Sequence, residues 1–295
     1  MNIKFSGCHT ALVTPFREDL SLDEAALRRL VRAQITGGVS GLVPCGSTGE
    51  ASVLEHAEWR RVLAIVIEEA AGRLPVVAGI SANATAKAAS LAQEARALGA
   101  DALLVVCPYY NKPTQEGLYR HFETVARAAD TPLILYNIPG RTAVNLAPQT
   151  VLRLARDFPN IRAIKEASGS LDQASEILSG APRGFAVLSG DDSLTLPMMA
   201  AGAAGVVSVL SNVAPQRVAA LCRDAAAGRL AAARRAHLGL FGLTKALFAE
   251  TNPIPVKAAL AMMGLCRDLP RPPLTRLSAK PRAALRRALQ SAGLI

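Results

Sequence analysis

Short apolar and β-branched runs alternate with longer amphipathic segments throughout the first 228 residues, and this alternation constrains the fold more than any other feature of the chain. It is the pattern of parallel βαβ units, because parallel strands must be joined by a crossover and a helix is the usual one. Eight strand candidates can be read: His9–Thr14, Gly41–Pro44, Val76–Gly79, Ala102–Val106, Leu133–Tyr136, Ala163–Lys165, Ala186–Leu188 and Gly205–Ser208. Most are apolar without alternation, as expected of strands buried on both faces. Between them lie helical patterns such as Leu22–Thr36, opened by Ser21 and Glu24 in capping-box spacing, and Leu54–Ala71, with apolar positions three and four apart. Gly37, Gly72 and Gly99 stand where helix C-caps are wanted. Eight consecutive units favour a closed (β/α)8 TIM barrel over an open doubly wound sheet, which counting alone leaves open. After Gly228 the strand pattern stops. Three helical stretches follow, Leu230–Ala249, Pro255–Met263 and Ala279–Ala292, so the expected organisation is an α/β barrel over residues 1–228 and a helical extension over 229–295.

The 295 residues suffice for one such barrel and its extension. No run of 18 apolar residues is present to span a bilayer, and the amino-terminal segment lacks the apolar core of a secretory signal. The five cysteines, Cys8, Cys45, Cys107, Cys222 and Cys266, are widely spaced without a C-x-x-C, which suits a reducing, cytoplasmic setting better than a disulfide framework or zinc site. A net charge of +10 raises the question of nucleic acid. The positive charge is mostly arginine scattered through Ala/Leu-rich helices, without interleaved aromatics for base stacking, so a solvated surface is expected and no nucleic-acid partner. The histidines His9, His56, His121 and His237 show no ligand spacing, and no G-x-G-x-x-G follows a strand, so neither a metal nor a nucleotide cofactor is indicated.

In a barrel, chemistry collects at the carboxyl ends of the strands. There the sequence places Gly46-Ser47-Thr48-Gly49-Glu50 after strand two and Pro108-Tyr109-Tyr110-Asn111 after strand four. Asn137-Ile138-Pro139-Gly140-Arg141 follows strand five, Lys165-Glu166 ends strand six, and Ser189-Gly190-Asp191-Asp192 ends strand seven. A glycine-flanked Ser-Thr turn exposes N–H groups and hydroxyls suited to a small carboxylate, although an ordinary βα turn reads the same way. Lys165 is the only lysine at an expected strand end. Desolvation in the barrel mouth would free its amine for attack on a carbonyl, while a surface lysine paired with Glu166 is the competing reading. Three of the four tyrosines, Tyr109, Tyr110 and Tyr136, gather at the ends of strands four and five, where a phenol can exchange protons through a hydroxyl such as that of Ser47 or Thr48. Arg141 could clamp a carboxylate with its guanidinium fork.

The blocks GSTGEAS, CPYYNKPTQEGLYRHF, LYNIPGRT, IKEASG, LSGDD, GVVSV and NPIPVK, in this order and covering most of the chain, resemble the dihydrodipicolinate synthase family. Taken singly, GSTGE and IKEAS mark only the wider group of pyruvate-dependent aldolases and lyases. The resemblance implies a lyase without cofactor in the diaminopimelate route of lysine biosynthesis. Lys165 would form a Schiff base with pyruvate, and the derived enamine would attack L-aspartate-4-semialdehyde. It places the pyruvate carboxylate at Thr48, the main chain of Val207 beside the imine, Gly190 among the substrate-binding positions, and Tyr136 as proton donor and acceptor. The relay would run from Tyr136 through Ser47, where synthases commonly have threonine, to Tyr110 of a neighbouring subunit in a homotetramer built as a dimer of dimers. Arg141 would receive the semialdehyde's carboxylate, favouring a synthase over sibling lyases of N-acetylneuraminate or 2-keto-3-deoxy sugar acids. A noncatalytic barrel binding protein is the reading from another class. The family's lysine-effector site maps near Ala51, His56, Trp59, Asn83 and Lys87; Lys87 replaces a glutamate common in sensitive enzymes, so weak or absent inhibition by L-lysine is expected.

Overall fold

A computed structural model describes residues 3–295; the first two residues, on which part of the amino-terminal reading rests, lie outside it. Eight parallel strands are present: β1 (Gly7–Ala11), β2 (Gly41–Val43), β3 (Val77–Ile80), β4 (Ala102–Val106), β5 (Leu133–Asn137), β6 (Ile161–Glu166), β7 (Ala186–Ser189) and β8 (Gly205–Ser208). They are ordered β2-β1-β8-β7-β6-β5-β4-β3. The two ends of this order meet through a parallel bridge between Leu42 and Val76 and hydrogen bonds from Leu42 N–H to Pro75 C=O and from Gly79 N–H to Pro44 C=O, each 3.0 Å. The sheet thus closes into the expected barrel.

Around it and beyond it run α1 (Glu24–Thr36), α2 (His56–Ala70), α3 (Thr85–Ala97), α4 (Gln115–Ala128), the single turn α5 (Pro139–Thr142), α6 (Pro148–Asp157), α7 (Leu171–Gly180), α8 (Thr195–Ala200), α9 (Pro215–Ala226), α10 (Leu230–Leu247), α11 (Ile254–Met262) and α12 (Ala279–Ser291). Strand alternation divides the apolar residues into two clusters. Ala11, Val43, Val77, Leu104, Val106, Ile134, Ala163, Leu188 and Val207 fill the barrel interior, and their neighbours, such as Val105, Leu135 and Ile164, face the helices. In α1, Leu27, Leu30, Val31 and Gln34 are buried at the three- and four-residue spacing of one helix face. The last three helices continue the chain from α9, with α10 packed on α9 and α12 on α10 and α11.

Two local expectations are corrected. Helix α1 is capped by Asp23, whose carboxylate accepts from Ala26 N–H at 2.9 Å, while the Ser21 hydroxyl donates to Asp19 at 2.6 Å and Glu24 pairs with Arg61. A carboxylate nearer the helix start is the better acceptor for its free N–H groups. Gly37 is the C-cap of α1, as expected; it is right-handed, and the left-handed residue just after it is Gly38, at φ 68°. Strand β1 is earlier than expected because residues 12–14 turn to the loops above the sheet: Val13 N–H donates to the Asn212 side chain and the Thr14 hydroxyl to Gly49 C=O.

Candidate active site

Lys165 is the inward-facing residue at the carboxyl end of β6, two positions beyond interior Ala163, and only 6% of it is exposed. Its strand partner on β5 is Tyr136, and the Lys165 Nζ lies 4.0 Å from the Tyr136 ring centroid. On the other side its partner is Leu188 of β7. Among the described residues Lys165 forms no ion pair.

The surface pairing of Lys165 with Glu166 is excluded by the strand's own period, because adjacent residues point to opposite faces. Glu166 faces outward and is buried: its carboxylate accepts from Ser168 N–H (2.6 Å), Asn137 Nδ2 (3.1 Å) and Gln173 Nε2 (2.9 Å). Asn137 follows Tyr136 as Glu166 follows Lys165, and the two are paired in register. The outer face therefore ties together the strand ends that carry the lysine and the tyrosine.

The turn after β2 is folded on itself by hydrogen bonds from Gly49 N–H and Ala51 N–H to Gly46 C=O. Gly79 of β3 leaves room for it, since a Cβ there would lie 2.2 Å from the Cys45 carbonyl oxygen. Among the described residues, the N–H groups of Ser47 and Thr48 have no hydrogen-bond partner, which leaves two adjacent donors for an anion. The buried Thr48 hydroxyl accepts from Asn252 Nδ2 at 2.9 Å. Arg141, on α5, donates from Nη2 to the Asn252 carbonyl at 2.9 Å. Ser47, Glu50, Tyr109, Arg141 and Asn252 help to line a cleft of about 250 Å³, to which Val106 and Ile138 also belong. Tyr136, Thr48 and Lys165 are not in that lining. Val106 and Ile138, however, pack into the same interior cluster as Tyr136, so the cleft lies over the buried pair.

Gly190 follows β7 and Val207 lies on β8. A Cβ at Gly190 would lie 2.5 Å from the Ala167 Cβ, and Gly190 N–H donates to Glu166 C=O at 2.7 Å. Val207 sits on β8 facing the barrel interior. Just beyond it the buried Asp192 carboxylate accepts from the Ser208 hydroxyl (2.5 Å) and from the N–H groups of Val209 and Leu210 (2.9 Å each). Burial raises the Asp192 pKa, and these hydrogen bonds oppose the rise.

Tyr110 is not brought to the site within one chain. It is left-handed, at φ 74°, and 89% exposed. Among the described residues no hydrogen bond joins the hydroxyls of Tyr136, Ser47 and Tyr110. Of the residues mapped to an effector site, Ala51, His56, Trp59 and Lys87 line a cavity of about 90 Å³ together with Ser81. Asn83 is not in that lining, and its amide donates to the Tyr109 carbonyl at 3.2 Å. Trp59 is largely core, donating from Nε1 to Gly79 C=O at 3.1 Å, and His56 stacks on it while pairing with Glu94.

Sequence reasoning quotes residues 252–257 as the NPIPVK block and assigns no role to Glu50, Asn252 or Lys257. Glu50, left-handed at φ 55°, receives Lys257 Nζ at 2.5 Å and Arg271 N–H at 2.8 Å. The available signal is the polar Asn and Lys of the NPIPVK block, set among apolar residues in a chain segment remote from the strand ends.

A closed eight-stranded barrel with a buried lysine and tyrosine paired at the carboxyl ends of adjacent strands, below a cleft that Ser47, Glu50 and Arg141 help to line, has the layout of a barrel enzyme. The model of the dihydrodipicolinate synthetase family matches residues 4–292, and the chain belongs to that family. It is 53% identical over 291 residues to the 4-hydroxy-tetrahydrodipicolinate synthase of Pelobacter propionicus, covering 99% of this chain and 100% of that one. Its structure is similar to that of the chloride-inhibited dihydrodipicolinate synthase from Acinetobacter baumannii complexed with pyruvate (TM-score 0.97, 43% identity, 99% and 100% of the two chains covered). It also resembles a monomeric dihydrodipicolinate synthase variant (TM-score 0.97, 43% identity, 99% and 98% covered).

Proposed function

We propose that this chain is a lyase that condenses pyruvate with L-aspartate-4-semialdehyde to give 4-hydroxy-tetrahydrodipicolinate. The observation that carries the reading is the buried Lys165, without an ion pair among the described residues, with its Nζ 4.0 Å from the Tyr136 ring. Lys165 Nζ attacks the ketone carbon of pyruvate and water leaves, forming the imine. Loss of a proton from the methyl carbon gives an enamine, which attacks the aldehyde carbon. The amino group of the semialdehyde then displaces Lys165 from the imine carbon, closing the ring and restoring the free amine.

Tyr136 is the group best placed to pass protons at the imine. The free N–H groups of Ser47 and Thr48, with the Thr48 hydroxyl, suit the pyruvate carboxylate, and Arg141 at the cleft wall suits the carboxylate of the semialdehyde. Gly190 and Val207 bound the imine through their main chain. The helical extension over residues 229–295 has a part in this arrangement, since it supplies Asn252, Lys257 and the Arg271 N–H to the barrel mouth.

The exposed Tyr110 ring supports a homo-oligomer in which a second copy covers it and brings it to the partner's relay. Leu171, Leu238 and Phe241 are further apolar side chains left exposed by the single chain, as expected if copies associate. A cytoplasmic setting agrees with the unpaired thiols. No helix among the described residues is long and apolar enough to cross a membrane.

The test is consumption of pyruvate and L-aspartate-4-semialdehyde, run beside cleavage of N-acetylneuraminate. Rapid condensation without neuraminate cleavage is expected. Cleavage without condensation would assign the chain to a sibling lyase, and neither activity would favour a binding role.

A further inference from the structure

One residue touches both groups assigned to substrate carboxylates. Asn252, 7% exposed, stands between α10 and α11. Its Nδ2 donates to the Thr48 hydroxyl oxygen at 2.9 Å, and its main-chain carbonyl accepts from Arg141 Nη2 at 2.9 Å. Its Oδ1 is buried and, among the described residues, has no hydrogen-bond partner.

We infer that Asn252 is a positioning residue that fixes the Thr48 hydroxyl as a hydrogen-bond donor to the pyruvate carboxylate, while its carbonyl separately holds Arg141 for the second substrate. The inference deepens the proposed function and rests on it.

A hydroxyl has one hydrogen and two acceptor lone pairs, and its rotor turns to suit its neighbours. The amide N–H of Asn252 occupies an acceptor position on Thr48 Oγ1, so the hydroxyl hydrogen must point elsewhere. Thr48 Oγ1 donates to no protein group among the described residues, while the N–H groups of Ser47 and Thr48 are unpaired beside it. The hydroxyl and the two N–H groups thus form a set of donors oriented before a carboxylate arrives, at no cost in rotor freedom on binding. The Arg141 contact uses the main-chain carbonyl, which a change of side chain at position 252 leaves chemically unchanged. The side chain and main chain of Asn252 therefore serve different substrates, and substitution separates them.

The experiment measures KM for each substrate, together with pyruvate-dependent imine formation on Lys165 trapped by borohydride, in Asn252→Ala, Asn252→Asp, Thr48→Val and the Asn252→Ala/Thr48→Val double variant. Asn252→Ala is expected to raise the KM for pyruvate about tenfold, the loss of roughly one hydrogen bond's contribution, with the KM for the semialdehyde within about twofold. The isosteric Asn252→Asp is expected to be worse than alanine, because a carboxylate accepts the Thr48 hydrogen and repels pyruvate. In the Thr48→Val background the alanine substitution should add less than about a twofold change, since the group it orients is gone. An unchanged pyruvate KM in Asn252→Asp would overturn the inference, because the hydroxyl would then donate to residue 252. So would an equal rise in both KM values, or full additivity in the double variant. A wild-type chain that forms no reducible imine with pyruvate would overturn the functional reading, and this inference with it, before any variant is compared.

Discussion

Lys257 reaches from α11 to Glu50 in the turn after β2, and the two charges meet at 2.5 Å with side-chain exposures of 0% and 1%. A buried pair of this kind is costly to break from one side only, because the remaining charge stays desolvated. Burial lowers the Lys257 pKa while Glu50 opposes that fall. The pair fixes the backbone three residues from Ser47, so the last helices and the candidate site share one anchor.

Lys257→Met is accordingly expected to destabilise the fold by about 3–5 kcal/mol, and Lys257→Met with Glu50→Gln by clearly less. Denaturant unfolding of the two variants checks this. Equal losses would show that the lysine acts through packing alone.

The relay predicts a separation of steps at Ser47 and Tyr136. Ser47→Ala should lower turnover while the imine with pyruvate stays trappable, and Tyr136→Phe, which keeps the ring beside Lys165, should cost about 10²–10⁴ in kcat. Single-turnover kinetics with borohydride trapping distinguishes the steps. Unchanged turnover in Ser47→Ala would remove that hydroxyl from the relay.

Lys87 gives a prediction about regulation. Lys87 lines the small cavity beside His56 and Trp59, and an effector bearing its own ammonium would be repelled there by the like charge. Millimolar L-lysine is expected to leave turnover nearly unchanged, and Lys87→Glu to increase inhibition. Strong inhibition of the natural chain would show that the effector's charge is neutralised by other groups.

Two buried histidines set an acid limit on stability. Burial pushes His9 and His121 from 6.5 down to about 4. Below 6.5 the unfolded chain takes up protons that the folded chain refuses, so stability is full above that value and falls as the pH drops toward 4, where the folded imidazoles also titrate. The slope is up to ~1.4 kcal/mol per pH unit for each group. Unfolding measured between pH 7 and pH 4 should show this decline, with a shallower slope in His121→Asn; an unchanged slope would place the proton uptake elsewhere.

The strands are legible in the sequence because burial on both faces removes polar residues from them, and the polar residues at their ends then stand out. Lys165 and Tyr136 can be found this way. The order of residues along β6 does not disclose that Glu166 bonds outward to Asn137 and Gln173, since strand phase depends on the closed barrel. Asn252 and Lys257 are hidden for another reason: each meets its partner across more than 200 positions of chain, where no local period connects them. The cap of α1 is misread because Ser21, Asp23 and Glu24 all carry capping chemistry, and only the geometry of the preceding turn chooses between them.

The central claim is tested most directly by incubating the chain with pyruvate and borohydride and locating the modification by peptide mass spectrometry. A single reduced pyruvate adduct on Lys165, lost in Lys165→Ala together with condensation, is the predicted result. Condensation that proceeds with no adduct, or with the adduct on another lysine, would contradict the account.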